Sequence, residues 1–191
     1  LASERAARRA LLLSYSQGQA LSQAQPPATA EEVVATFNEL FKGPEGTVLV
    51  AGAPEPFYLP GQPNQVFFRA DYVRSALHEV AHWCVAGRRR RGLPDYGYWY
   101  SPDGRSSERQ AAFFSVEAKP QAIESLFCEA LNVAFAPSVD NLAHASSAAA
   151  LRTFENRIEL WRARLLGGGL PRRASRFLTA LECHDGRGIS G

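Results

Sequence analysis

His78 and His82 stand four residues apart with Glu79 between them, in the run His78-Glu79-Val80-Ala81-His82. One helical turn takes about 3.6 residues, so on a helix both imidazoles project from the same side and can share one metal ion. Two histidines leave such an ion under-coordinated. Catalytic zinc and non-haem iron sites add a third protein ligand and keep positions open. The candidates are carboxylates downstream. Glu117 precedes Pro120 and is expected at the mouth of a second long helix, where it can be aimed at the first. Glu124, further inside that helix, is the alternative ligand, and Glu129 is expected to face solvent.

Glu79 is the candidate catalytic residue. In H-E-x-x-H peptidases the glutamate is the general base acting on metal-bound water. Supporting a ligand or binding a cationic substrate are its other readings. Two reactions suit two imidazoles and a carboxylate: hydrolysis on Zn²⁺, or O₂ activation on Fe(II). The extension H-E-x-x-H-x-x-G-x-x-H is absent, because Trp83-Cys84-Val85-Ala86-Gly87 and then arginines follow His82, and this weighs against a peptidase. A basic interaction module with a structural metal is the non-enzymatic alternative. His144 and His184 stand alone and read as structural or surface residues.

The elements that must position these groups can be read from periodicity. Thr29 is a candidate cap for a helix beginning near Glu31, with Val33, Val34, Phe37, Leu40 and Phe41 as its apolar stripe. Thr47–Ala51, Phe57–Leu59 and Val66–Phe68 read as three short strands separated by Pro and Gly. The histidine helix is expected from an Asp71 cap to about Ala86, with Gly87 as its stop. Val73, Ala76, Leu77, Val80 and Cys84 form its aliphatic face. His78 and His82 lie about 140–180° from the middle of that face, at about 100° per residue. A helix apolar on most sides is central to a fold, so its polar stripe faces a cleft.

Arg88–Arg91 follows that helix directly. The run can pair with the helix dipole in a solvated loop, or dock an acidic partner such as RNA or an RNA-bound protein. Asp95–Tyr100 alternates like a strand and leads into a turn at Ser101-Pro102-Asp103-Gly104. Pro120 is expected to open the second long helix, with Ile123, Leu126, Phe127, Ala130, Leu131 and Ala134 as its stripe. Two further helices are expected near 150–166 and 171–183, divided by Gly167-Gly168-Gly169. Residues 1–15 read as a basic amphipathic helix and 16–29 as a linker. The expected organisation is therefore an N-terminal extension over 1–29 and a metal-dependent domain over 30–191. That domain is a single compact α+β unit, a small mixed sheet packed with several helices around the central H-E-x-x-H helix.

Hydrophobic residues make up 46% of the 191-residue chain and charged residues 21%, which suits a globular domain. A net charge of +2 gives no reason to expect stable nucleic-acid binding, and no apolar run is long enough to span a membrane. Cys84, Cys128 and Cys183 are few and lack C-x-x-C spacing; Cys84 and Cys128 sit within apolar helical runs, so these two are expected as buried thiols in a reducing cytoplasm.

Several stretches resemble the bacterial elongation factor P hydroxylases. They are His78–Gly87, Asp95–Arg105, Val116-Glu117-Ala118-Lys119-Pro120-Gln121-Ala122, Leu126-Phe127-Cys128 and Ser138–Leu142. The resemblance covers roughly residues 31–185 and leaves 1–29 outside it. It implies an Fe(II)- and O₂-dependent hydroxylase acting on the β-lysylated lysine of elongation factor P. It implies the metal ligands His78, His82 and Glu117, with a zinc-dependent hydrolase of peptidase or ribonuclease type as the alternative. The implied fold is similar to a bacterial rRNA-maturation endoribonuclease rather than to the double-stranded β-helix of 2-oxoglutarate oxygenases. A long cationic substrate arm suits acidic and aromatic pocket residues, so Tyr96, Tyr98, Tyr100, Asp103 and Glu124 join Glu79 as substrate-binding candidates.

Overall fold

Thr29 does cap the first helix, α1 (Ala30–Phe41), in the computed structural model, which describes residues 28–98, 107–139 and 147–184. The Glu32 N–H donates to Thr29 Oγ1 (3.2 Å) and the Thr29 N–H donates to Glu32 Oε2 (2.7 Å). This reciprocal pair satisfies amides that a helix start otherwise leaves bare. Val33, Phe37 and Phe41 are buried along one face. Asn38 ties α1 to the next element: its Oδ1 accepts from the Leu49 N–H (2.8 Å) and its Nδ2 donates to the Leu49 carbonyl (3.3 Å).

Three strands follow: β1 (Thr47–Ala53), β2 (Phe57–Leu59) and β3 (Asn64–Arg69). Their order is β1-β3-β2, with β1 parallel and β2 antiparallel to β3, so the sheet is mixed. The register sets Leu49, Val66 and Tyr58 side by side, and all three are buried. On the other face Phe57 stacks on Phe67 with centroids 4.1 Å apart. The sheet thus buries one face, as period-two alternation requires.

The histidine helix is α2 (Val73–Val85). Its cap is Tyr72, which makes no side-chain cap bond, and not the expected Asp71. The chain turns at Ala70 (φ 48°), with the Tyr72 N–H donating to the Arg69 carbonyl, so Asp71 falls inside the turn and one residue short of the cap. The expected aliphatic face is buried at Ala76, Leu77, Val80 and Cys84, and Ala81 and Trp83 extend it. Tyr72 is exposed. With α1, the sheet, a longer helix and the C-terminal helix all packed on it, α2 is central.

Residues 95–98 do not continue as a strand. Two short 3₁₀ turns, Arg90–Gly92 and Pro94–Gly97, occupy this region, and Asp95 (φ 47°) and Tyr96 (φ 57°) are left-handed. Such backbone costs about 1–3 kcal/mol per non-glycine residue, so local contacts must hold it. Asp95 Oδ1 accepts the outward N–H of Tyr58 on edge strand β2 (2.8 Å). The Tyr96 ring stacks on Tyr58 at 4.3 Å, and Arg90 Nη1 donates to the Tyr96 carbonyl (3.2 Å). Alternation in the sequence here reflects one buried and one exposed tyrosine on a turn. Tyr100, Asp103, the 101–104 turn and His144 lie outside the described residues, as do residues 1–27 of the expected extension.

The second long helix, α3 (Ser107–Ala130), begins well before Pro120 and carries it internally. Proline fixes a helical φ but withdraws the N–H that would meet the Val116 carbonyl, at a cost of about 3 kcal/mol. Val116 is exposed, and burial on both sides of the proline (Phe114, Ala118, Ala122, Ile123, Phe127) outweighs the loss. Asn132 (φ 54°) ends the run, with the Val133 N–H donating to the Cys128 carbonyl. Ala134, expected on the apolar stripe, lies beyond the helix and is exposed.

Helices α4 (Ala148–Gly168) and α5 (Arg172–His184) complete the domain; α4 packs along α3, and α5 packs on α1, α2 and α3. The core centres on aromatic rings from four helices: Phe37 and Phe41, Trp83, Phe127 and Phe177. Trp83 sits 5.0 Å from Phe37 and 4.8 Å from Phe41, and Phe127 sits 5.1 Å from Phe177. Five α-helices and a three-stranded mixed sheet, among the described residues, form the expected single α+β domain. No described helix is long and apolar enough to cross a membrane.

Candidate metal centre

Helix α2 delivers both histidines to one point, as their spacing requires. His78 Nε2 and His82 Nε2 are 3.1 Å apart. Helix α3 brings Glu117 opposite them, with Oε2 3.2 Å from His82 Nε2 and 3.7 Å from His78 Nε2. The three donor atoms could hold a metal ion, and no other group of three among the described residues does so. Ligand bonds of about 2.0–2.2 Å place neighbouring donors about 3–3.5 Å apart around a tetrahedral or octahedral ion. The donor set, two nitrogens and one carboxylate oxygen, suits zinc or iron(II).

Glu124 lies two helical turns beyond Glu117 on the same side of α3, but takes a different place. It is 1% exposed, and Oε2 sits 2.9 Å from His78 Nδ1. Its other oxygen accepts from Arg74 Nη2 (3.1 Å), which also donates to the Ala136 carbonyl (2.5 Å). Both oxygens are therefore engaged. Glu124 meets His78 at Nδ1, the ring nitrogen opposite the one that joins the donor group, a contact that orients a ligand ring. Arg74, which had no signature in the sequence, completes this relay; only the fold brings a residue of α2 beside one 50 positions on.

The electrostatics of the site favour a bound cation. Burial acts to lower the pKa of His78, but the Glu124 hydrogen bond and the charges of Glu124, Glu117 and Glu79 override it and raise it to about 10. Burial acts to raise that of Glu117, but His82 and His78, with a hydrogen bond from Gln121, hold it at about 2. Glu79 is half-buried beside this group, and burial, with smaller contributions from Glu117 and Asp95, raises its pKa against the pull of His78 and His82. No described residue donates a hydrogen bond to its carboxylate.

A cavity of about 480 Å³ opens beside His82. Val85, Pro120 and Tyr98 line it, with Arg88–Arg90 at its edge. Of the substrate-binding candidates, Tyr98 is exposed and lines this space. Tyr96 is buried, its hydroxyl unpartnered, and burial together with the Glu79 charge pushes its pKa well above the ordinary value. His184 ends α5, far along the chain from the donor group, and Cys84 and Cys128 are buried thiols as expected while Cys183 is exposed.

A family model described as elongation factor P hydroxylase matches residues 36–188. A protein of Haemophilus influenzae named elongation factor P lysine hydroxylase is 48% identical over 116 residues, which cover 59% of this chain. The match spans 65% of the length of that relative.

Proposed function

Because this chain belongs to the elongation factor P hydroxylase family, we propose that it hydroxylates a lysine of elongation factor P already carrying a β-lysyl group, using Fe(II) and O₂. His78, His82 and Glu117 would hold the iron. Bound there with open positions, iron(II) would supply O₂ activation, so that one oxygen atom enters a C–H bond while the other leaves as water with two electrons from an external reductant.

The chain's own residues prepare that centre and its substrate. Glu124 holds His78 Nδ1 so that Nε2 is offered to the metal, and Arg74 holds Glu124. Glu79 is left with an unpaired carboxylate beside the centre and receives the ammonium of the lysyl arm. Val85 and Pro120 give the cavity apolar walls beside His82, which limit water around the reacting carbon. The convergence of two imidazole nitrogens and Glu117 within 4.8 Å, in a chain of this family, carries the proposal.

Mass spectrometry tests it. β-Lysylated elongation factor P incubated with the protein, Fe(II), a reductant and O₂ should gain one oxygen atom, and His82→Ala should abolish the gain. No gain with the wild-type chain, or an undiminished gain with His82→Ala, would sink the proposal. Metal analysis of protein purified without air separates the hydrolase alternative: zinc, together with Glu79-dependent cleavage of peptide or RNA, would replace hydroxylation.

A further inference from the structure

The four arginines after α2 divide into two pairs. Arg91 turns inward, with Nη1 3.0 Å from Glu45 Oε2 and its guanidinium 5.7 Å from the centre of the Trp83 ring. Arg90 is spent on the local turn, lying 4.3 Å over Tyr98 and donating to the Tyr96 carbonyl. Arg88 and Arg89 are exposed, and neither has an ion-pair partner among the described residues. Pairing with the α2 dipole does not explain them. The carbonyls of Trp83, Cys84 and Ala86 already accept from Arg173 Nη2, at 2.8, 3.2 and 2.6 Å. The positive charge that a helix C-terminus favours is thus supplied from α5.

What Arg88 and Arg89 do line is the cavity beside His82. His82, which lines it, belongs to the donor group with Glu117, and Glu79 lies beside that group; the exposed Arg88 and Arg89 make its mouth basic. Glu79 is left to meet the cationic lysyl arm, yet a basic mouth repels a bare cationic peptide by like-charge interaction. Both ends are satisfied at once by a cationic side chain that emerges from an acidic stretch of polypeptide. RNA fits less well. Single-stranded RNA is held by basic tracks interleaved with open aromatic faces, and the one aromatic face here, Tyr98, is covered by Arg90.

We propose that Arg88 and Arg89 dock an acidic segment of the protein substrate at the mouth of the cavity, while the modified lysine reaches inward past it. The proposal rests on the hydroxylase reading above and names the surface that the substrate must present. It selects a lysine by its surroundings as well as by its chemistry.

Charge reversal in the full chain, Arg88→Glu with Arg89→Glu, tests it against two substrates. One is β-lysylated elongation factor P; the other is a short peptide carrying the same modified lysine between Gly and Ser residues. For the protein, KM should rise about tenfold or more with kcat within about twofold, and added salt should shrink the difference. For the peptide, kcat should stay as in the wild type and KM should stay or fall, because the repulsion of a bare cationic peptide is removed. An unchanged KM for the protein, or equal losses on both substrates, would overturn the docking role. Fluorescence anisotropy of labelled β-lysylated elongation factor P without O₂ reads docking separately from turnover. Binding by the wild type that the double variant loses supports docking even if no oxygen is transferred, which would count against the hydroxylase reading alone. If the double variant instead loses binding of a labelled single-stranded RNA and keeps that of the protein, the patch serves RNA and the proposal fails.

Discussion

Between Glu124 Oε2 and His78 Nδ1 there are 2.9 Å, and between His78 Nε2 and the opposite carboxylate 3.7 Å. The first contact decides which nitrogen is available for the second. Glu124→Gln keeps the shape of the side chain and removes the charge that makes His78 a stronger donor. Metal affinity should fall about 10–100-fold, read by competition with a chromophoric chelator; an unchanged affinity would mean that His78 is oriented by packing alone. The same contacts set a pH profile for the metal-free protein. The pKa of His78 is raised from 6.5 to about 10, so its contribution is complete below about pH 6.5 and is lost as pH rises through about 10. That of Glu117 is lowered from 4.5 to about 2, so its contribution is complete above about pH 4.5 and is lost as pH falls through about 2. Denaturant midpoints of the metal-free chain should therefore be highest between about pH 4.5 and 6.5. Glu79, favoured in its neutral form by burial, weights that window to its acid side. His78→Gln should flatten the alkaline limb, and a limb that persists in that variant would assign it elsewhere.

The turn at Pro94–Gly97 is held to the outer edge of β2 by one carboxylate and one stacked ring. Gly97 has φ 68°, and a Cβ there would lie 2.8 Å from Leu93 Cδ1. Gly97→Ala should cost about 1–3 kcal/mol in thermal or denaturant unfolding, and it should displace Tyr98 at the cavity. A variant as stable as the wild type would show that the turn bends at no cost. This turn also marks where the sequence misleads. The alternation of Tyr96, Tyr98 and Tyr100 has a strand's period, and nothing local reveals that Asp95 is claimed by a backbone amide 37 residues earlier. Pro120 misleads in the same manner: a proline that ordinarily opens a helix is carried inside one, because buried residues flank it on both sides. Consequently Glu117, read as a helix-start carboxylate, is a mid-helix residue, and its place opposite the histidines comes from the packing of α3 on α2. The spacing of His78 and His82, the Thr29 cap and the aliphatic face of α2 were legible because each depends on residues within a turn or two. Arg74 and Arg173 were not, since their partners lie 50 and about 90 positions away.

Four helices meet at the aromatic cluster, and it lies on the side of α2 away from the histidines. Phe177 reaches Phe37, Phe41 and Phe127 from α5 and is fully buried. Phe177→Ala should destabilise the whole domain by about 3–5 kcal/mol in denaturant titration, as truncation of a buried phenylalanine does. A loss below about 1 kcal/mol would mean that α5 is an accessory to the core. The same architecture divides the centre between two helices. Helix α2 holds two donors at a separation that its own geometry fixes, and α3 holds the third donor together with the residue that orients one of the first two. An ion bound there would meet two donors from α2 and one from α3, so the gap between the helices would bear on the ionic radius accepted. Cations whose bonds to oxygen differ by a few tenths of an ångström would be sorted by that gap. Side chains packed between α2 and α3 would then bear on metal preference without carrying a ligand atom.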